Sequence, residues 1–452
     1  MIYLYEQYGY KRTGYKEITD KQCSILDSSS IKSNKYKKTV LRQKSNQMCV
    51  QIDFDQEKEK YHFETSYFVG VDWILENRLP IYVQPKLNKE DIQINYFQML
   101  LDAITEPDNI KNIDGLLNID FNKPCITIKQ SEDLLSPFLI IQFLQILQTI
   151  VRKGLKKSYY SITNNLEAKV KGKILVSKTI RGNIIKGQLT KTICRYDEFG
   201  VNCDENKILK KAYLFACKAI ENYKELDIEE LQHIKSYIHP AFENISEDIK
   251  VDKIKAFKPN PIYKEYEQAI KLALLILKRF SYNIDQTENQ LISTPPFWID
   301  MSKLFELYVY KKLKNAFPNK NEVQYHSKIN YLELDFLLKA KDSNDNDCMF
   351  VIDTKYKPKY HEDHVNIEDI RQVCGYARLE QVYQKLEISD YNKNINCLII
   401  YSHQNCETSF DNNDFIFQKD NLGLKGIRKE KHYVNFYKLG IKLPEIKPIE
   451  QH

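Results

Sequence analysis

The chain is poor in glycine, with 13 in 452 residues, and nowhere reads G-x-x-x-x-G-K-[ST]. Without that phosphate-cradling loop it is not expected to be a P-loop NTPase itself. Paired cysteines are missing too. The ten cysteines are scattered and none forms a C-x-x-C pair, so reduced thiols are expected rather than disulfides or a zinc knuckle. The opening MIYLYEQYGYKRTGYK has no uninterrupted apolar core of the kind a secretory signal needs. Long apolar runs are scarce. The strongest, FLIIQFLQILQTIV (138–151), is interrupted by Gln142, Gln145 and Gln148 at three-residue intervals and falls short of the ~20 residues of a bilayer span. A buried amphipathic helix is expected there, in a cytoplasmic protein with no membrane association. No internal repeat or low-complexity tract stands out beyond a general richness in lysine and asparagine.

What is present organises into an α/β multi-domain chain. Its 452 residues are too many for one compact core, so two or three domains are expected. The net charge of +6, from 67 basic and 61 acidic residues, is a mild bias that is compatible with nucleic acid without being diagnostic. Residues 1–122 read as a small β-rich domain. TVLRQ, MCVQIDF, YHFETSYFVGVDWIL and LPIYVQPKL are aromatic and β-branched, and GVDWI with LPIYVQPK reads as a hairpin closed by Pro85. Residues 123–292 read as mainly helical, with helices over 131–152 (opened by Ser131, Asp133 in its first turn), 206–224 and 263–280. A basic, β-leaning stretch, AKVKGKILVSKTIRGNIIKGQLTKTICRYDEF (168–199), lies between the first two. The polar run NIDQTENQ and TPP at 294–296 mark a boundary. From 293 the order is helix (301–317), strand-like NYLELDFLLKA, strand-like MFVIDTKY, helix (366–386), then strand-like INCLIIYS. That order suits an α/β sandwich.

The chemistry concentrates in two of these strands. In MFVIDTK, alternation sets Met349, Val351, Asp353 and Lys355 on one face, with Asp353 and Lys355 ~7 Å apart at Cα. In LELDFLL, Asp335 shares a face with Glu333. If the two strands pair across the KDSNDND loop, Asp335 comes near Asp353. Two carboxylates on a buried sheet repel unless a cation joins them, and oxygen ligands suit Mg2+ or Mn2+. The Thr354 backbone carbonyl is a further candidate ligand. A cation held there polarises a phosphodiester and activates water. Lys355 is placed to orient that water or to steady developing negative charge. Glu306 in LFELYV is a further carboxylate candidate from the preceding helix. Gln372 and Tyr376 in DIRQVCGYA stand at i,i+4 on one helix face, able to touch phosphate or anchor Lys355.

Blander readings compete at each position. A D-x-K triplet alone is common by chance, and its weight here comes from the ordered Glu, Asp, D-x-K and Q-x-x-x-Y set. Glu306 alone reads as a surface charge, and Gln372 with Tyr376 as helix–sheet packing. His361 and His364 (HEDH) invite zinc, but no cysteine or third histidine is suitably spaced. Arg195 with Asp197 or Glu198 reads equally as a surface ion pair.

The run LFELYV…LELDFLL…FVIDTKYK…DIRQVCGYA resembles the PD-(D/E)xK nuclease core, and more closely the McrC family of restriction subunits. GVDWI…LPIYVQPK resembles that family's N-terminal β domain. VRKGLKKSYY…VKGKILVSKTIRGN…CRYDEFGVNCDENKILKKAY resembles its middle region, and FWIDMSKLFELYV the approach to its nuclease, so the resemblance covers ~65 to ~405. It implies a C-terminal restriction-endonuclease-like α/β sandwich that cuts double-stranded, modified DNA. It also implies an McrB-like AAA+ NTPase ring, usually GTP-hydrolysing, on which the subunit docks and whose hydrolysis it stimulates. The basic segment is then the candidate partner contact, through Lys173, Lys178, Arg181 and Arg195. Cutting both strands implies two active sites or two visits, hence dimerisation of nuclease domains at that step. Leu334 stands where the motif's proline is expected, a position that shapes the strand rather than the chemistry. Residues 1–60 and the tail beyond ~410 match nothing in the family pattern. The competing readings are a non-catalytic activator of an AAA+ NTPase with a relic nuclease core, and a stand-alone DNA-repair nuclease.

Overall fold

The computed structural model describes residues 1–9, 14–42, 45–87, 94–106, 109, 112–113, 115–129, 133–221, 228–249, 263–280, 291–329, 332–341, 347–356, 366–404 and 427–445. The chain divides into two compact units, one of Met1–Leu134 with Leu291–His452 and the other of Leu135–Gln290. Ser131, the polar run NIDQTENQ, most of the KDSNDND loop, His361 and His364 lie outside the described residues.

The first unit begins with β1 (Ile2–Tyr5), α1 (Asp20–Asp27), β2 (Tyr36–Arg42), β3 (Ser45–Asp55), β4 (Lys60–Thr65), β5 (Phe68–Leu75) and β6 (Leu79–Gln84). α2 (Tyr96–Thr105), β7 (Leu117–Ile119) and β8 (Ile126–Lys129) follow. The stretch expected as one strand over 61–75 is two, in different sheets. Thr65 turns it: its hydroxyl accepts from the Tyr8 amide at 2.9 Å and donates to the Tyr5 carbonyl at 2.7 Å, pinning the bend. β5 and β6 form the expected hairpin, with Val71 opposite Tyr82. Ile52, Phe63, Ile81, Val83 and their neighbours bury a common core between the sheets.

The second unit holds α3 (Leu135–Lys153), β9 (Ser158–Glu167), β10 (Lys173–Ile174), α4 (Val176–Gly182), β11 (Lys191–Gly200), α5 (Asp204–Glu221), α6 (Ile228–Phe242) and α7 (Lys264–Phe280). α3 starts later than expected and leaves Asp133 outside its first turn. Pro137 explains this: it lacks an N–H and is tolerated only in a first turn. α3 is long and apolar enough to cross a membrane, but 67% of its most apolar stretch is buried, as in a core helix. The 168–199 stretch is not wholly β. Its middle coils into α4, which Thr179 ties to β11 by accepting from the Ile193 amide at 3.0 Å. Asn183 adds amide bonds to Asn165 and to the Lys191 carbonyl.

The chain then returns to the first unit. β12 (Leu291–Thr294) and β13 (Phe297–Asp300) lead to α8 (Met301–Ala316), capped by the Asp300 carboxylate on the Lys303 amide at 2.9 Å. β13 inserts between β5 and β7, and β12 pairs with β8, so the segments expected as separate domains over 1–122 and 293–452 share one sheet. Gly70 permits this approach. Its φ is +154°, and a Cβ there would lie 2.0 Å from the Phe297 carbonyl oxygen. Asp72 fastens the same seam by accepting from the Trp298 indole at 3.0 Å.

After α8 come β14 (Val323–Ile329), β15 (Leu332–Lys341), β16 (Asp347–Lys355), α9 (Ile367–Tyr376), α10 (Glu380–Lys385), β17 (Asn396–Ser402), β18 (Ile427–Lys429) and β19 (Phe436–Ile441). Six strands form one mixed sheet in the order β14-β15-β16-β17-β19-β18. The helix expected over 366–386 is two helices. Gly375 weakens its end, and Leu379 leaves helical dihedrals so that α10 turns to bury Val382 and Tyr383 in the sheet's core.

Candidate active site

β15 and β16 run antiparallel with Phe336 opposite Ile352 and Leu337 opposite Val351. The pairing stops there; continued one step, its register would bring Asp335 opposite Asp353, and the Asp335 charge acts on Asp353. β16 then runs parallel to β17, with Asp353 beside Ile399 and Lys355 beside Tyr401. Both faces of these strands are covered, so Phe350, Val351 and Ile352 are buried, as in a sheet packed on both sides. Asp353, only 3% exposed among them, is the polar exception.

The polar side chains form two sets of contacts, carried by neighbouring residues of β16. The Thr354 amide and hydroxyl both donate to Asp335 Oδ2 at 2.7 Å. Lys355 Nζ lies 2.8 Å from Asp353 Oδ2 and 3.8 Å from Asp369 Oδ1. It also donates to Gln372 Oε1 at 3.0 Å, and the Gln372 amide donates to the Tyr376 hydroxyl at 2.8 Å. Gln372 and Tyr376 thus orient the lysine from α9. Thr354 orients Asp335 through its amide and side chain, a contact that the sequence reading, which singled out its carbonyl, did not foresee.

Electrostatics oppose this arrangement as it stands. Burial and the Glu306 charge push the Asp335 carboxyl up to about 6. Burial and the Asp335 charge push Asp353 up to about 7. Burial pulls the Lys355 ammonium down, but the Asp353 carboxylate outweighs it and the group stays firmly protonated. Two facing carboxyls driven toward neutrality are a site that a divalent cation fits, because the ion lets both ionise. Asp335 and Asp353 are the side chains that would hold such an ion. Among the described residues no three His, Cys, Asp or Glu side chains are gathered as a ready cage. A cation that keeps much of its water shell suits such a sparse donor set.

Glu306 is buried on α8, and its carboxylate bonds His326 Nε2. The other ring nitrogen of His326 lies 3.1 Å from Glu333. By the β14–β15 register, His326 falls between the pairs Tyr325–Phe336 and Ser327–Leu334, facing Asp335 across the ladder. Its backbone is left-handed, with φ +48°. Burial lowers the affinity of this imidazole for its second proton, but the Glu306 hydrogen bond and charge more than restore it. His326, Glu333 and Asp369 were missed as site residues. For Asp369 the signal was available: it stands three residues before Gln372, on the same helix face. For His326 it was faint, since VQYHSKI is too polar to read as a strand.

The basic candidates lie in the second unit. Lys173 on β10 pairs in register with Arg195 on β11, and Lys178 and Arg181 lie on α4; all four are exposed. Glu198 pairs with Lys171 at 3.2 Å rather than with Arg195. Around them Tyr159, Ile174, Val176, Ile185, Leu189 and Phe199 are exposed as well.

A family model described as the McrBC 5-methylcytosine restriction system component matches residues 65–388. Among solved structures, a Thermococcus gammatolerans assembly of McrB AAA+ hexamers with bound McrC is 14% identical. That match covers 86% of this chain and 80% of the other, at a TM-score of 0.33. A second T. gammatolerans McrBC complex is 15% identical over 71% of this chain and 88% of the other, at a TM-score of 0.27. A search of the curated proteins found no match. The matched span is well over half of the sequence, and the chain belongs to the McrBC restriction system component family.

Proposed function

We propose that this chain is the DNA-cutting subunit of its restriction system, a Mg2+- or Mn2+-dependent endonuclease with a PD-(D/E)xK site at the ends of β15 and β16. The observation that carries the reading is the facing pair Asp335 and Asp353 with Lys355 on the same strand as Asp353. The cation would polarise the scissile phosphate and lower the pKa of its bound water. Asp335, braced by Thr354, and Asp353 would hold the cation. Lys355 stays charged and is aimed by Asp369 and Gln372, so its ammonium is available to the phosphate oxygens as negative charge builds. Glu306, fixed by His326, adds negative field behind Asp335.

The proposed partner is an AAA+ NTPase of the McrB kind. Support comes from the family, which is one component of a system, and from the missing P-loop, which leaves this chain needing an NTPase from elsewhere. The exposed basic and apolar face of β9, β10, β11 and α4, with Lys173, Lys178, Arg181 and Arg195, is the proposed docking surface. The family description names 5-methylcytosine, so methylated duplex DNA is the substrate to try first. Reconstitution with the partner, NTP, Mg2+ and methylated plasmid should give double-strand breaks. Asp353→Ala and Lys355→Ala should abolish cutting while NTP hydrolysis by the partner stays stimulated. Cutting at the wild-type rate by either variant contradicts the assignment, and no cutting by the wild type favours a non-catalytic activator.

A further inference from the structure

Lys355 is the last residue of β16, and its pairing with β17 ends there, opposite Tyr401. Beyond that point the ladder no longer fixes the backbone that follows the lysine. Tyr356, the next residue, is held from the other end of the chain. Its hydroxyl donates to Glu6 Oε1 at 3.1 Å, and its carbonyl accepts from the Gln7 side-chain amide at 3.4 Å. Glu6 Oε1 also accepts from the Lys86 amide at 2.9 Å. The grip is itself anchored: the Glu6 amide donates to Gln84 and the Gln7 amide to Ser66. Gln7 adopts a left-handed φ of +55°, which lets two consecutive side chains reach one tyrosine. Glu6 and Tyr356 are both buried, and the Phe305 ring packs on Tyr356 at 5.9 Å, one residue before Glu306.

We propose that Glu6 and Gln7 are positioning residues for the nuclease site, fixing Lys355 through Tyr356 where strand pairing stops. This rests on the nuclease reading of β16. It also gives the first residues of the chain, which lie outside the span that the family model matches, a part in the site. Burial pushes the Glu6 carboxyl up to about 8, with the Lys86 amide and Tyr356 hydroxyl pulling back only in part. At neutral pH it is therefore an uncharged acceptor, and Glu6→Gln keeps both the acceptor and the charge state.

The test uses the full chain as Glu6→Ala, Glu6→Gln and Tyr356→Phe. Amide exchange over 350–356 should quicken about fivefold in Glu6→Ala and Tyr356→Phe, the loss of roughly one net hydrogen bond. Glu6→Gln should stay closer to wild type. With the AAA+ partner, NTP, Mg2+ and methylated plasmid, kcat for cutting should fall about tenfold in Glu6→Ala and Tyr356→Phe, as for a slightly misplaced site group. Their KM for DNA and their stimulation of NTP hydrolysis should hold. Unchanged exchange in both variants overturns the proposal. So does faster exchange with wild-type kcat, or a loss of thermal stability that accelerates exchange throughout the unit equally. If the wild type does not cut, the nuclease reading fails by itself, and the exchange result alone decides whether the grip on Tyr356 exists.

Discussion

Replacing Asp353 by Asn should stabilise the metal-free protein while abolishing the proposed DNA cutting. The Asp353 carboxyl, 3% exposed and facing Asp335, moves from an ordinary 3.8 to about 7. A group that binds its proton more tightly when folded costs nothing below about pH 4, where both states are protonated. Between about 4 and 7 the unfolded chain ionises first, so stability falls as pH rises, and above about 7 the full cost is present. At 1.36 kcal/mol per tenfold change in proton affinity, that cost is on the order of 4 kcal/mol. Asparagine removes it but also strips Lys355 of its 2.8 Å carboxylate partner, leaving Gln372 at 3.0 Å and Asp369 at 3.8 Å. The net gain expected is about 2–4 kcal/mol at pH 8 in EDTA, shrinking toward zero at pH 4. Urea unfolding at the two pH values measures it. A variant less stable than wild type at pH 8, or equally stabilised at both pH values, refutes the reasoning.

Two further outcomes follow from the geometry. Gln372→Ala removes the 3.0 Å acceptor that aims Lys355 but leaves its Asp353 pair, so kcat for cutting should drop about tenfold with DNA affinity unchanged, read in single-turnover cleavage. Gly70→Ala forces a Cβ to within 2.0 Å of the Phe297 carbonyl oxygen and should cost more than about 2 kcal/mol in urea unfolding by loosening β13 from β5.

The centre of the candidate site was legible because charge intrudes on an apolar strand. Period-two alternation placed Asp353 and Lys355 together, and the hairpin brought Asp335 to them. Gln372 and Tyr376 followed from helical spacing. His326 was not legible, since its left-handed backbone sits in a strand that hydrophobicity does not announce. The splice of β13 between β5 and β7 escaped notice because FWID is too short to stand out and its partners lie more than 170 residues earlier, as the pairing of Phe297 with Val71 and Ile119 shows. The hold of Glu6 on Tyr356 spans 350 residues and leaves no local trace. In the second unit, richness in lysine and β-branched residues predicted strand, while Thr179 and Asn183 fastened a helix.

The central claim is that Asp335 and Asp353 face each other because a divalent cation belongs between them. Anomalous diffraction from crystals of the full chain soaked in Mn2+ tests it most directly. The account predicts a peak in bonding contact with one oxygen of each carboxylate, absent in Asp353→Asn crystals. Mn2+ bound elsewhere with this position empty, or a peak that persists at full height in the variant, contradicts it.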